Sequence, residues 1–242
     1  MNPDDDSSRF FNAAPVVHTV PLPGRRQVVV MDDVLLDPNG LVDWACTQTF
    51  REPQGYPYPG VVAPGPAALS ARFADFFAQH ARSALHARRT LEHDVRLSMV
   101  TTPPDRLDPR QWQCHRDRMT TDPSILFVGS VLYLFREPAL GGTSFYVPRQ
   151  SADATDRIVV DSQLLGAAQF EARYGLKAGY MDGSNPYFEC VERVPAAWNR
   201  MILYDASFFH SGDIGRPDLL GADPAAGRLT VNCFFTCRRQ AA

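Results

Sequence analysis

Between residue 91 and the C-terminus the chain breaks into short runs rich in Val, Ile, Leu, Phe and Tyr: VRLSMVTT, SILFVGSVLYLF, TSFYVP, NRMILYD and RLTVNCFFTC. Asp-Pro, Gly-Gly and other turn signals separate them. Branched and aromatic side chains suit a pleated, half-buried surface, and Pro or Gly ends each run. No helices alternate with these strands, so a parallel α/β sheet is disfavoured and a sandwich or jelly roll is expected. Ahead of them, RRQVVVMDDVLLDP reads as a strand and turn, and Asp37-Pro38 opens a helix through LVDWACTQTF. SARFADFFAQHARSALHARR carries Phe73, Phe76, Phe77 and Leu85 at helical spacing and is expected to lay that face on something flat. YPYPGVVAPGPAA reads as a loop. The expectation is a mainly β protein with flanking helices, one domain over 1–242. Residues 1–90 supply a strand and supporting helices, and 91–238 form the jelly-roll core. An insertion at about 151–198 includes YGLKAGYMDGSNPYFE, suited to a lid or substrate wall.

Composition narrows the partners. With 45% hydrophobic and 21% charged residues, a chain of 242 residues can bury a substantial core. A net charge of −3 and a pI near 6.1 argue against nucleic acid or an anionic membrane as the main partner, since both require clustered positive charge. The densest basic stretch, HARR at 86–89, reads as a solvated helix face. MNPDDDSSRFF lacks the basic-then-apolar order of an export signal, and no apolar run approaches the ~18 residues of a membrane span. Cys46, Cys114, Cys190, Cys233 and Cys237 are odd in number and form no paired CxxC, which fits a reducing compartment, so a cytoplasmic protein is expected. The apolar context VNCFFTC places Cys233 and Cys237 in a buried strand.

Chemistry enters with QCHRDRMTTD. If this segment is extended, His115 and Asp117 stand at i and i+2 and address one point inside a barrel. A third ligand is available far along the chain in NRMILYDASFFHSGDI, where His210 follows an apolar strand. Two histidines and a carboxylate on one face of an octahedron leave three positions open, the set used by non-haem Fe(II) oxygenases, whereas zinc usually closes to four ligands. In GRLTVNCFF, Arg228 and Thr230 repeat the i, i+2 relation. A guanidinium fork with a hydroxyl beside it suits the far carboxylate of a small dicarboxylate. His80 and His86 are six apart and miss the four-residue interval of a helical metal pair, so they read as surface or boundary residues. His93 and Asp94 are adjacent, point to opposite faces of a strand and read as structural.

The order HRD at 115–117, GGTSFY at 141–146, NRMILYDASFFHSG at 199–212 and RLT at 228–230 resembles the Fe(II)/2-oxoglutarate-dependent dioxygenases, in particular bacterial prolyl-hydroxylase-like members. The likeness runs over roughly residues 92–238. It implies a double-stranded β-helix, the cupin-like jelly roll. It implies iron held by His115, Asp117 and His210, and 2-oxoglutarate held through its C5 carboxylate by Arg228 with Thr230 assisting. O2 would be the oxidant and succinate and CO2 the by-products. An Arg stands at 228 where prolyl hydroxylases often carry a Lys. The related halogenases replace the acidic ligand with a small residue; Asp117 is present, so hydroxylation is the expected outcome. Tyr133 either donates to 2-oxoglutarate or packs in the core, and Asn232, on the face of Thr230, either lines the site or satisfies the interior. Tyr56, Tyr58 and Trp112 either wall a substrate pocket or pin a loop, and Arg118 either meets an acidic substrate or is an ordinary exposed Arg. The expected substrate is a small molecule, amino acid or peptide-derived compound. A non-enzymatic jelly-roll binding module and a Zn-dependent cupin-like hydrolase or isomerase are the competing readings.

Overall fold

The computed structural model describes residues 10–240. Two antiparallel sheets face each other. The larger has seven strands in the order β1(Val16–Leu22), β2(Arg26–Asp32), β8(Arg200–Asp205), β5(Ile125–Tyr133), β10(Leu229–Arg239), β4(Ala87–Val100) and β3(Gly60–Pro64). The smaller has three, in the order β7(Phe188–Val194), β6(Thr143–Pro148), β9(Phe209–Gly212). This is the jelly-roll arrangement expected from the strand pattern. His115 joins the free edge of β9 by an isolated bridge to His210 and so extends the small sheet by one short segment.

Period-two alternation decides what each strand buries. On β10, Leu229, Val231, Cys233, Phe235 and Cys237 face outward from the sheet pair into a core covered by the helices α1(Pro38–Cys46) and α2(Ala67–His80). Phe77 of α2 stacks on Phe235 with ring centroids 4.2 Å apart, and Phe73 lies 6.5 Å from the same ring. On β2, Val29 and Met31 join that core while Val28 and Val30 join Phe145, Val194, Ile202 and Tyr204 between the sheets. Both faces of β2 are buried, which explains its unbroken VVVM run. A third cluster lies on the outer face of the small sheet, where Tyr146, Phe188 and Phe209 meet Ile158 and Phe170 of the helices α3(Ala152–Leu164) and α4(Ala167–Tyr174).

Asp37 caps α1 as its sequence indicates, its carboxylate accepting from the Gly40 amide at 2.9 Å with Pro38 in the first turn. Several expectations need correction. The HARR stretch is no helix face: α2 ends at His80, Leu85 lies in the following turn, and residues 87–89 already belong to β4, paired with β10. His86 takes a positive φ of 56°, which stops any helical continuation. The Pro/Gly-rich segment contains β3, an edge strand on β4, where a proline such as Pro64 is tolerated. β1 forms a hairpin with β2 through Gly24 and Arg25, both at positive φ. The interval 151–198 is more regular than its sequence indicates, holding α3, α4 and β7, of which β7 belongs to the small sheet itself. The acidic start MNPDDDSSR lies outside the described residues. No helix among the described residues is long and apolar enough to cross a membrane.

Candidate metal centre and its cavity

A cavity of about 770 Å³ opens between the inner face of the large sheet and the small sheet. Thr230, Asn232 and Phe234 of β10, on the face away from the helix-covered core, line it with Arg228 just before that strand, together with Asp94 and Arg96 of β4 and His210 of β9. The segment carrying His115 and Asp117 closes one side. Its backbone is pinned at both residues: the His115 amide donates to the His210 carbonyl and the His210 amide to the His115 carbonyl, each at 2.9 Å, and the Asp117 amide donates to the Ala206 carbonyl at 3.0 Å. That pairing keeps the segment extended at His115 and turns both side chains to one side.

The imidazole nitrogens and carboxylate oxygen of His115, Asp117 and His210 lie within 4.8 Å of one another. His115 Nε2 is 3.3 Å from Asp117 Oδ1, and His210 Nε2 is 3.4 Å from Asp117 Oδ2. His210 Nδ1 sits 2.9 Å from the Phe208 carbonyl. A carbonyl only accepts, so the ring proton sits on Nδ1 and Nε2 keeps its lone pair for a metal. Asp117 Oδ2 is buried without a hydrogen-bond partner. Burial alone raises the Asp117 pKa, but the charge of His210 and the contacts with both histidines outweigh it and hold the carboxyl well below its ordinary value. His210 shows the reciprocal shift: burial lowers its pKa, the Asp117 charge raises it, and the net is upward. A buried carboxylate demands a cation, and here either a proton on His210 or a divalent ion between the three side chains meets that demand. Two imidazoles and one carboxylate with an orphaned oxygen fit an open-sided transition-metal site.

Gly129 of β5 makes room for this carboxylate. A Cβ at that position would stand 3.2 Å from Asp117 Oδ2 and 3.1 Å from Cε2 of Tyr204, whose ring centroid is 4.6 Å from that of His210. Nothing in the His-x-Asp motif points to Gly129; the signal that could have found it is a glycine interrupting the run LFVGSV, which marks a close approach.

Arg228 is buried immediately before β10. Its Nε donates to the carbonyls of Leu140 and Gly141 at 2.9 and 3.2 Å, and its Nη2 to that of Gly142 at 2.9 Å. Its Nη1 makes no hydrogen bond among the described residues. The double glycine is what brings these carbonyls close: Gly141 has φ 81°, and a Cβ on Gly142 would lie 2.0 Å from the Val194 carbonyl oxygen. Thr230 Oγ1 donates to the Ser98 carbonyl at 3.2 Å. Tyr133 is not among the residues lining the cavity. Its ring packs between the sheets, and its hydroxyl lies 2.8 Å from Thr143 Oγ1, which does line it. Asn232 lines the cavity with its Oδ1 buried and unpartnered.

Tyr56, Tyr58 and Arg118 also line the cavity. Trp112 does not: it packs edge-on against Phe170, and its indole N–H donates to the Leu107 carbonyl at 2.9 Å. From the polar stretch expected to form a wall, Tyr180 and Met181 line the cavity, and the Tyr180 hydroxyl donates to the Thr102 carbonyl at 2.6 Å. His93 and Asp94 point to opposite faces, His93 meeting the Ser70 carbonyl at 2.9 Å on the helix side. Arg96, which no motif singled out, stands inward between the core residues Val95 and Leu97.

Fold and site together define a jelly-roll protein with a His-x-Asp…His cluster opening on a polar cavity. Residues 13–235 match the family described as "Family of unknown function (DUF6445)", and the chain belongs to it. No curated protein matches. Among solved structures the chain is similar to HygX from Streptomyces hygroscopicus with iron bound, at 16% identity over 86% of this chain and 81% of that one, TM-score 0.44. It is similar to the non-heme alpha ketoglutarate dependent epimerase SnoN from nogalamycin biosynthesis, at 14% identity over 89% and 82%, TM-score 0.45. A Pseudomonas putida prolyl-4-hydroxylase follows at 12% identity over 93% and 79%, TM-score 0.32. Likeness this distant assigns no activity.

Proposed function

We propose that the protein is a non-haem Fe(II)- and 2-oxoglutarate-dependent dioxygenase. It hydroxylates an unactivated C–H bond of a small molecule, amino acid or peptide-derived substrate and releases succinate and CO2. One observation carries this reading: three donor side chains with an orphaned carboxylate oxygen, and a buried arginine with a free Nη1, line the same cavity. His115, Asp117 and His210 would hold the iron. Iron bound there would activate O2, the oxidant, with 2-oxoglutarate as the second electron source, for attack on the C–H bond.

The chain's own residues position and insulate. The Phe208 carbonyl keeps His210 in the metal-binding tautomer, and the Asp117 charge favours a cation between the histidines. Arg228 is held rigid by three carbonyls, so its free edge is preorganised to accept the C5 carboxylate of 2-oxoglutarate, with Thr230 beside it. Tyr133 acts at one remove by fixing Thr143, and Asn232 lines the co-substrate's flank. Tyr204 and Phe209 give the metal side apolar walls that limit water.

The test is an anaerobic titration of metal-free protein with Fe(II) and 2-oxoglutarate, following the visible charge-transfer absorption of the chelate. A stoichiometric band that weakens in both Arg228→Ala and His210→Ala is expected, followed by succinate release in air. A folded protein that gives no band returns the site to a zinc enzyme or to a plain binding module.

A further inference from the structure

We infer that Arg96 anchors a carboxylate on the molecule this site oxidises, and that this substrate is an acid of the amino-acid or peptide class with an N–H or O–H donor close to its carboxylate. The inference rests on the dioxygenase reading and narrows its substrate. The strand order β5-β10-β4 sets the geography. Asp117 lies over Gly129 of β5, the expected co-substrate anchors Arg228 and Thr230 stand just before and on β10, and Arg96 stands one strand further out on β4.

Of the arginines lining the cavity, Arg96, Arg118 and Arg228 hold no anion among the described residues, and of these three Arg96 is the one with a buried donor left unpartnered. Arg110 pairs with Asp108 at 2.7 Å and Arg116 with Asp156 at 3.1 Å. Arg96 forms no ion pair among the described residues, and its Nε–H is buried without a partner. A guanidinium donor withdrawn from water with nothing to accept its proton is destabilising, and a bound carboxylate removes that penalty. The guanidinium carbon lies 4.6 Å from the Tyr56 ring centroid and 4.7 Å from that of Phe234. Aromatic rings supply no carboxylate-like acceptor, so the N–H donors of the group stay available to a planar carboxylate.

The cross-strand partner of Arg96 is Asn232, whose Oδ1 is also buried and unpartnered. The two orphaned atoms do not satisfy each other. A ligand that completes both must bring an acceptor for Arg96 and a donor for Asn232, side by side. An α-amino acid or the C-terminal residue of a peptide offers both within one residue, whereas 2-oxoglutarate offers acceptors alone.

The experiment measures binding to the full-length metal-free protein by ligand-observed NMR. The probes are L-phenylalanine, N-acetyl-L-phenylalanine and hippurate, each against its primary amide. The proteins are wild type, Arg96→Gln, Arg96→Lys and, as a rim control, Arg118→Gln, with folding checked by circular dichroism. The acids are expected to outbind their amides, and Arg96→Gln to weaken the acids by about tenfold or more. Arg96→Lys should restore part of the loss, Arg118→Gln should leave the preference intact, and the Fe(II)/2-oxoglutarate band of Arg96→Gln should stay at wild-type strength. Absence of any acid-over-amide preference, or equal acid affinity in Arg96→Gln and wild type, overturns the assignment. Loss of the charge-transfer band in Arg96→Gln with acid binding unchanged overturns it too, by giving Arg96 to the co-substrate. Should acids bind through Arg96 while the wild type gives no band, the anchor stands and the dioxygenase reading falls.

Discussion

Gly129→Ala tests whether the backbone of β5 sets the metal site. The added Cβ would lie 3.2 Å from Asp117 Oδ2 and 3.1 and 3.2 Å from Cε2 and Cζ of Tyr204. Ordinary carbon contacts fall at about 3.5–4.0 Å, so both neighbours must retreat by a few tenths of an ångström. Metal sites tolerate ligand displacements of only about ±0.2 Å, so a shift of this size degrades coordination before it threatens the fold. The stability loss from overpacking is about 1 kcal/mol, partly offset because alanine loses less backbone entropy than glycine in a strand. Metal affinity should fall by about 10–100-fold, the range for disturbed support of a ligand. A competition titration of Mn(II) against a chelator reads the affinity, and a urea melt reads the stability. Gly129→Val places branches directly in the path of Oδ2 and should abolish binding while the protein still folds. Wild-type Mn(II) affinity in Gly129→Val would refute the reasoning, because it would mean that Asp117 is not held against this strand.

Other expectations follow from single contacts. Asn199 sits at φ 61° with both side-chain groups bonded to Leu35, Oδ1 accepting from its amide and Nδ2 donating to its carbonyl, each at 2.9 Å. Asn199→Ala orphans both backbone groups and strains the residue, so urea denaturation should show a loss of about 3–5 kcal/mol. Arg228→Ala strips the Leu140, Gly141 and Gly142 carbonyls of their donor and should lower stability by about 2 kcal/mol as well as removing the charge-transfer band, the first read by melting and the second by titration. The two-point hydrogen bond to Arg200, at 2.7 and 3.0 Å, outweighs burial and holds the Asp32 carboxyl below its ordinary value. Its contribution is therefore fully present above the unfolded value of about 3.9 and fades as pH falls through the lowered folded value. Asp32→Asn should lower stability by about 1 kcal/mol at neutral pH, and the gap to wild type should close in acid melts.

The convergence of His115, Asp117 and His210 is legible because period-two geometry is local: once His115 pairs with His210, the i, i+2 rule carries Asp117 to the same point. The depth of Tyr133 was not legible, since whether a strand residue reaches a cavity or stops behind a neighbour such as Thr143 depends on the facing sheet. The helix pattern holds through Phe73, Phe76 and Phe77 but stops before Leu85, which lies in a turn, and pairing of β4 with β10 overrides local preference from Ala87 onward. α3 leaves little trace in the sequence because the side chains it buries, Thr155, Ile158 and Ser162, include two polar ones, so its apolar stripe is faint. β3 was hidden by prolines that an edge strand accommodates. Arg96 and Gly129 belong to no motif. Their placement appears only when strand order brings them against Asn232 and Asp117.

The reciprocal backbone bonds between His115 and His210 bear on how the protein is made. On the ribosome the His-x-Asp segment emerges long before its partner, and β10 with Arg228 follows later still. A nascent chain that ends short of residue 210 can present only one imidazole and one carboxylate of the set to a metal, on a segment without the strand that pins it. On the proposed reading, metal capture by the full set would be tied to the closing stage of synthesis, and truncated products would lack the complete set of donors.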